Sequence, residues 1–175
     1  VLDCDDDQLP DLFVAGGAAP AALYRNASRV GGALRFELVT SPVTDVAAVT
    51  GAYPLDVDSD QHPDLVVLRN GEPNLLLRGL GDCRFEDAGE RFGLATGDGW
   101  TVGFSATWEG TNELPTLAFG HYLVRDTFDC GDSQLVRPAP DGDRYDAPIP
   151  LVPGYCALSL LFSDWSGSGR QDLRV

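Results

Sequence analysis

The chain has 175 residues, 43% of them hydrophobic, which suffices for one domain's core or for a piece of a larger protein. Its 27 acidic residues face 12 basic ones, all arginine, for a formal net charge of −15. A field of that sign repels nucleic acid and anionic lipid and attracts cations, and no apolar run nears the roughly 18 to 20 residues of a membrane span, so nucleic-acid partners and membrane insertion are not expected.

Glycines and prolines, 20 and 12 of them, are spread along the whole length and predict short elements separated by turns, an all-β habit. The chain opens with VLDCDDDQLPDLFV (Val1 to Val14), five aspartates within nine positions followed by an apolar run. So much like charge requires a cation or several N–H donors to offset it. DLFVAGG (Asp11 to Gly17), AALYRN (Ala21 to Asn26) and LRFELVT (Leu34 to Thr40) then read as three short strands. AVTGAYPLDV (Ala48 to Val57) enters a second acidic loop, LDVDSDQHPDLVVLRN, which places Asp56, Asp58, Asp60 and Asp64 over Asp3, Asp5, Asp7 and Asp11 at an offset of 53. The strands DLVVLRNGEP, NLLLRG and CRFEDAG follow it, as their counterparts followed the first loop.

TVGFSATW (Thr101 to Trp108) leads into a degenerate third copy, ATWEGTNELPTLAF, and YCALSLLFSDW (Tyr155 to Trp165) into a fourth, SDWSGSGRQDLRV. With Thr107 set at the first ligand position, the repeat units start near residues 3, 56, 107 and 164, at intervals of 53, 51 and 57. The last interval is lengthened by the loop-rich insertion RPAPDGDRYDAPIP (Arg137 to Pro150), and Trp108 and Trp165 fall at matching places, where they are expected to pack between repeats. Self-similarity at this period signals a solenoid or a propeller, and four short antiparallel strands per period is the arithmetic of a propeller blade.

Cys4, Cys83, Cys130 and Cys156 form no CxxC pair, which argues against zinc or dithiol redox chemistry. Two disulfides in an oxidising compartment are one reading, with three possible connectivities, and free buried thiols the other. Cys130 with Cys156 is the preferred pair, since both flank one long loop. His62 and His121 are too few for a histidine-based metal centre; the first is expected on a loop surface, the second in a strand or at its end. No nucleophile motif is present, and no catalytic residue is assigned. Asn26-Ala27-Ser28 is a glycosylation sequon. The chain lacks methionine and begins on Val1 within a motif, which reads as an internal segment of a longer product.

The acidic loop D-x-D-x-D-x-x-x-D-L in units of about fifty residues, followed by NLLLRG and then by G-D-C-R-F-E-D-A, resembles the FG-GAP/VCBS repeats of integrin-alpha-like β-propellers. More narrowly it is similar to bacterial ASPIC/UnbV and cartilage-acidic-protein-like secreted proteins. The resemblance implies a calcium ion in the loop between the first two strands of a blade. It also implies a ring of about seven blades, of which this chain would supply about three and a longer chain the rest.

Calcium takes six to eight oxygens at about 2.3 to 2.6 Å, and side chains at places 1, 3 and 5, a carbonyl at 7 and a carboxylate at 9 can wrap one ion. The first loop offers Asp3, Asp5, Asp7, the carbonyl of Leu9, and Asp11; the second offers Asp56, Asp58, Asp60, the carbonyl of His62, and Asp64. Asp6 is left to face solvent. The usual glycine at place 6 is replaced by Gln8 and Gln61, so either the geometry differs or strain is tolerated there. The terminal copy keeps Gly169 at that place but offers only Asp164, Ser166, Ser168 and Asp172, a weaker set, and the third copy reads as metal-free. Helices would have to flank an EF-hand or dockerin loop, whereas these loops run into strand sequences. The expected function is a non-enzymatic, calcium-stiffened scaffold on a secreted or cell-surface protein, for adhesion or for protein or carbohydrate recognition. The alternative is an accessory or rim part of a larger extracellular hydrolase or lyase.

Overall fold

Among the residues described in the computed structural model, 1–16 and 19–175, thirteen short strands form four antiparallel sheets. The first sheet is β1 (Leu12–Val14), β2 (Ala22–Asn26) and β3 (Phe36–Val39). The second is β4 (Val49–Leu55), β5 (Asp64–Arg69), β6 (Leu75–Gly79) and β7 (Phe85–Asp87). A one-turn helix, α1 (Gly89–Phe92), precedes the third, β8 (Thr101–Thr107), β9 (Thr116–His121), β10 (Ser133–Val136) and β11 (Ile149–Leu151). The pair β12 (Leu161–Ser163) and β13 (Asp172–Arg174) makes the fourth. Within each sheet the strands pair in chain order. These are all-β meanders of the kind found in propeller blades, stacked but not closed into a ring. The predicted segment Asp11 to Gly17 is β1 as far as Val14; its last residue lies outside the described residues.

The second and third sheets stack because β5 and β9 are buried on both faces. In β5 the alternation is complete: Leu65 and Val67 enter one core with Leu2, Leu23, Leu77 and Phe85 of the first two sheets, while Val66 and Leu68 enter another with Leu76, Leu117, Phe119 and Val136. A strand read as a continuous apolar run is what burial between two neighbours requires. Phe92 of α1 and Tyr145 plug the second core. On the far side of the third sheet the contact is made by small residues: a Cβ on Gly120 would sit 3.2 Å from that of Ala157, and one on Gly103 would sit 3.2 Å from the Ser159 backbone.

Two cystines tie the stack together. Cys130 pairs with Cys156, and Cys4 pairs with Cys83, joining the first sheet to the second. No helix among the described residues is long and apolar enough to cross a membrane. The tryptophans depart from expectation. Trp108 and Trp165 are 49% and 71% exposed, so neither packs between sheets; the Arg174 guanidinium covers Trp165 at 3.9 Å, and the Trp108 indole N–H donates to the Glu113 carbonyl.

Candidate metal centre

Each of the four sheets brings its loop back at the same separation. Leu2 pairs with Asp11, Leu55 with Asp64, Thr107 with Thr116 and Ser163 with Asp172. This register corrects the third repeat by one residue: Trp108, not Thr107, stands at the place of Asp56, and Thr116 rather than Pro115 at that of Asp64. Trp108 and Trp165 therefore occupy different places in their repeats. Strand pairing fixes the register and the sequence match around the tryptophan does not, because a slip of one residue would turn every side chain of β8 to the wrong face.

The first two loops are wired alike. Asp3 accepts the N–H groups of Asp7 and Gln8 at 3.2 and 2.9 Å, and Asp56 those of Asp60 and Gln61 at 3.1 and 3.0 Å. Asp7 accepts from Leu9 N–H and Asp60 from His62 N–H, closing a turn of the Asx type in each. Gln8 and Gln61 do hold the left-handed conformation that place 6 demands, with φ of 66° and 72°, and Asp6 and Ser59 add a second such residue at place 4. Every one of these costs a non-glycine side chain free energy that the acid-to-amide hydrogen bonds help to offset. Asp6 is exposed, as expected, and its carboxylate reaches His62 Nδ1 across the two loops at 3.5 Å.

Asp11 and Asp64, at place 9, are completely buried. Asp64 accepts from Val57 N–H at 2.7 Å and Gly79 N–H at 2.8 Å; Asp11 accepts from Cys4 N–H at 2.8 Å and Asn26 N–H at 2.7 Å. One carboxylate thus pins the loop to the end of β6 or β2. Burial pushes the Asp64 carboxyl up to about 6, against the pull of those two N–H donors. Burial, with the charges of Asp11 and Asp7, also raises Asp5.

Oxygens of Asp3, Asp5 and Asp11 come within 4.8 Å of one another, as do those of Asp56, Asp58 and Asp64. Asp7 and Asp60 stand outside these groups, being turned to their own loop amides. One oxygen each of Asp5 and Asp58 is buried without a hydrogen-bond partner. A buried carboxylate oxygen lacking a donor is costly unless something positive meets it. All ligand candidates are hard oxygens, so the donor set fits calcium.

Arg78 was not picked out from the sequence. Its guanidinium donates to Asp58 at 2.6 Å and to Asp60, neutralising one side of the second loop from β6. Its counterpart Arg25 on β2 stands farther off, 4.0 Å from Asp5. The signal was available: Arg25 and Arg78 share the offset of the aspartates.

The third loop holds no such group of acids among the described residues. Thr116, buried at place 9, donates its hydroxyl to Glu109, which is bound in turn by Arg137 at 3.1 and 3.3 Å. Leu114, at place 7, is buried in the core. In the terminal loop Asp164 accepts from the N–H groups of Ser168 and Gly169, repeating the wiring of the first two, with glycines at both left-handed places, 167 and 169. There Asp172, Ser166 and Ser168 are exposed.

No curated protein matches the chain. Residues 3–67 match the family described as the FG-GAP-like repeat, a likeness at the level of the repeat rather than of the narrower ASPIC/UnbV group. The match runs from the first acidic loop through most of β5.

Proposed function

We propose that the loops at 3–11 and 56–64 each take one calcium ion. In this reading the segment is a non-enzymatic scaffold of a secreted or cell-surface protein, used for adhesion or for recognition of a protein or carbohydrate. The observation that carries the proposal is the convergence, in both loops, of three carboxylates, one of which has a buried oxygen without a partner. Asp3, Asp5 and Asp11, and Asp56, Asp58 and Asp64, would hold the ion, with the carbonyls of Leu9 and His62 and the second oxygen of Asp7 as further donors; in the second loop Arg78 already occupies the second oxygen of Asp60. The ion supplies charge: it offsets repulsion that the N–H donors alone do not. Asp164, Ser166, Ser168 and Asp172 form a poorer set with two carboxylates and belong to a weaker site. Two disulfides suit an oxidising, extracellular setting. The sheets at either end of the stack leave apolar side chains exposed, Leu38 in the first and Leu161 in the fourth, which suits further blades of a longer chain.

Thermal unfolding in EDTA and in calcium tests this. At a calcium concentration about a hundredfold above Kd, one site adds about 2.7 kcal/mol, several degrees in a chain of this size. Asp5→Asn and Asp58→Asn together should remove most of the shift. An unchanged melting temperature at millimolar calcium would rule the metal reading out.

A further inference from the structure

The ends of the strands opposite the acidic loops enclose a second feature. A cavity of about 340 Å³ lies between the second and third sheets, where β5 ends, β8 begins and β9 ends. Its wall includes His121, which is 6% exposed and wedged between two glycines: a Cβ on Gly99 would lie 2.9 Å from Nδ1, and one on Gly131 would lie 2.8 Å from the histidine Cβ. His121 Nε2 is buried and has no hydrogen-bond partner. Trp100, half-buried, lines the cavity with its ring set edge-on to Tyr122 at 5.4 Å. Asn70, Asp98, Asp126 and Asp132 add polar groups, and Arg125 lies so close over Gly71 that a Cβ there would meet its guanidinium at 2.6 Å.

The walls are held in place. Between β9 and β10 the chain makes a small hairpin, in which Leu123 bridges to Cys130 and Gly131 N–H donates to the Tyr122 carbonyl at 3.0 Å. The Cys130–Cys156 disulfide fastens that hairpin to the segment leading into β12, where Ala157 N–H donates to the His121 carbonyl. Preorganisation of this kind lowers the entropy a ligand's arrival must overcome.

We propose that this cavity binds a neutral sugar residue. Each hydroxyl of a sugar both donates and accepts, and the walls offer both functions: Asp98 and Asp132 accept, Arg125 donates, Asn70 does both, and the unpartnered imidazole nitrogen needs a partner. Trp100 supplies the aromatic surface on which the C–H face of a sugar ring packs. Three carboxylates against one arginine repel anionic ligands such as uronic acids and phosphates. A basic side chain would be drawn by the same carboxylates but, having only donors, would leave the Arg125 guanidinium without an acceptor, whereas a sugar hydroxyl serves both. The volume is at the low end of the roughly 300 to 1,000 Å³ of small-molecule sites, which suits one or two sugar rings. The proposal gives the recognition role above a site and a ligand class; it rests on that reading for its purpose but not for its chemistry.

Saturation-transfer NMR on the whole chain tests it, with glucose, galactose, mannose and N-acetylglucosamine as probes, and glucuronate and N-acetyl-lysine amide as controls. At least one neutral sugar should receive saturation equally in EDTA and in calcium, and the controls should receive none. Trp100→Ala and, independently, Asp132→Asn at an exposed position should abolish the transfer without altering the melting temperature by more than a few degrees. Transfer to none of the four sugars, transfer to N-acetyl-lysine amide alone, or transfer that survives both substitutions overturns the proposal. A signal present only with calcium also overturns it, by moving the site to the acidic loops. Failure of calcium to stabilise the protein bears on the loops and leaves this site standing.

Discussion

Asp64 joins two strands, β5 and β6, and the loop between β4 and β5 with two oxygens. It sits at the start of β5, accepts from Val57 N–H in the loop and from Gly79 N–H at the end of β6, and is wholly buried while doing so. Its carboxyl is raised from 3.8 to about 6, so the folded metal-free protein holds the proton more tightly than the unfolded chain does. The stability this contributes is fully present below about pH 4 and is lost as pH rises through about 6; at roughly 1.4 kcal/mol per pH unit of difference, it amounts to about 3 kcal/mol. A cation favours the carboxylate and reverses the sign. In EDTA the melting temperature should fall between pH 4 and pH 7, and Asp64→Asn should flatten that fall. Calcium stabilisation should grow across the same window. A pH profile that the Asp64→Asn substitution leaves unchanged would show that other carboxyls govern it.

Among the elements, β5 and β9 bear the packing, and β3 bears little. Leu117 of β9 is completely buried in the second core, to which Leu68, Leu76 and Phe119 also belong, whereas Leu38 of β3 is 57% exposed. Leu117→Ala should therefore cost about 2 to 5 kcal/mol, and Leu38→Ala no more than about 0.5 kcal/mol. Urea denaturation followed by tryptophan fluorescence reads both. Equal losses would mean that the sheets do not stack through β9. The third loop is explained at this scale too. With Thr116 at the buried place and Glu109 held by Arg137, the positive charge near the loop comes from the protein's own guanidinium.

For the whole molecule, the decisive covalent links run between sheets. Cys4–Cys83 spans 79 residues and joins the first acidic loop to the turn before β7; Cys130–Cys156 spans 26. In the chain-entropy account the longer span restricts the unfolded state more, so removing it should cost about 4.5 kcal/mol against about 3.5 kcal/mol for the shorter. Paired cysteine-to-serine variants at each bridge, compared by thermal unfolding in EDTA, should rank in that order. The reverse ranking would show that the Cys130–Cys156 hairpin, rather than the junction of the first two sheets, limits stability.

Much of this was legible from residues that recur at a fixed offset. Asp3, Asp5, Asp7 and Asp11 over Asp56, Asp58, Asp60 and Asp64 marked the loops, and DLVVLR marked a short strand, because local spacing and composition carry that information by themselves. The same offset contained Arg25 and Arg78, yet their distances to the acids depend on how β2 and β6 lie against the loops. The alignment at Trp108 misled by one residue because an aromatic match is weaker evidence than the pairing of Thr107 with Thr116. By itself, the sequence determined the repeat, the strand-and-loop pattern and the residues able to meet a cation. Only the tertiary structure decided which three acids of each loop converge, whether the cysteines are bonded or free, and that His121, Trp100 and Arg125 share one cavity. Those outcomes depend on contacts between strands far apart in the chain, which no local pattern specifies.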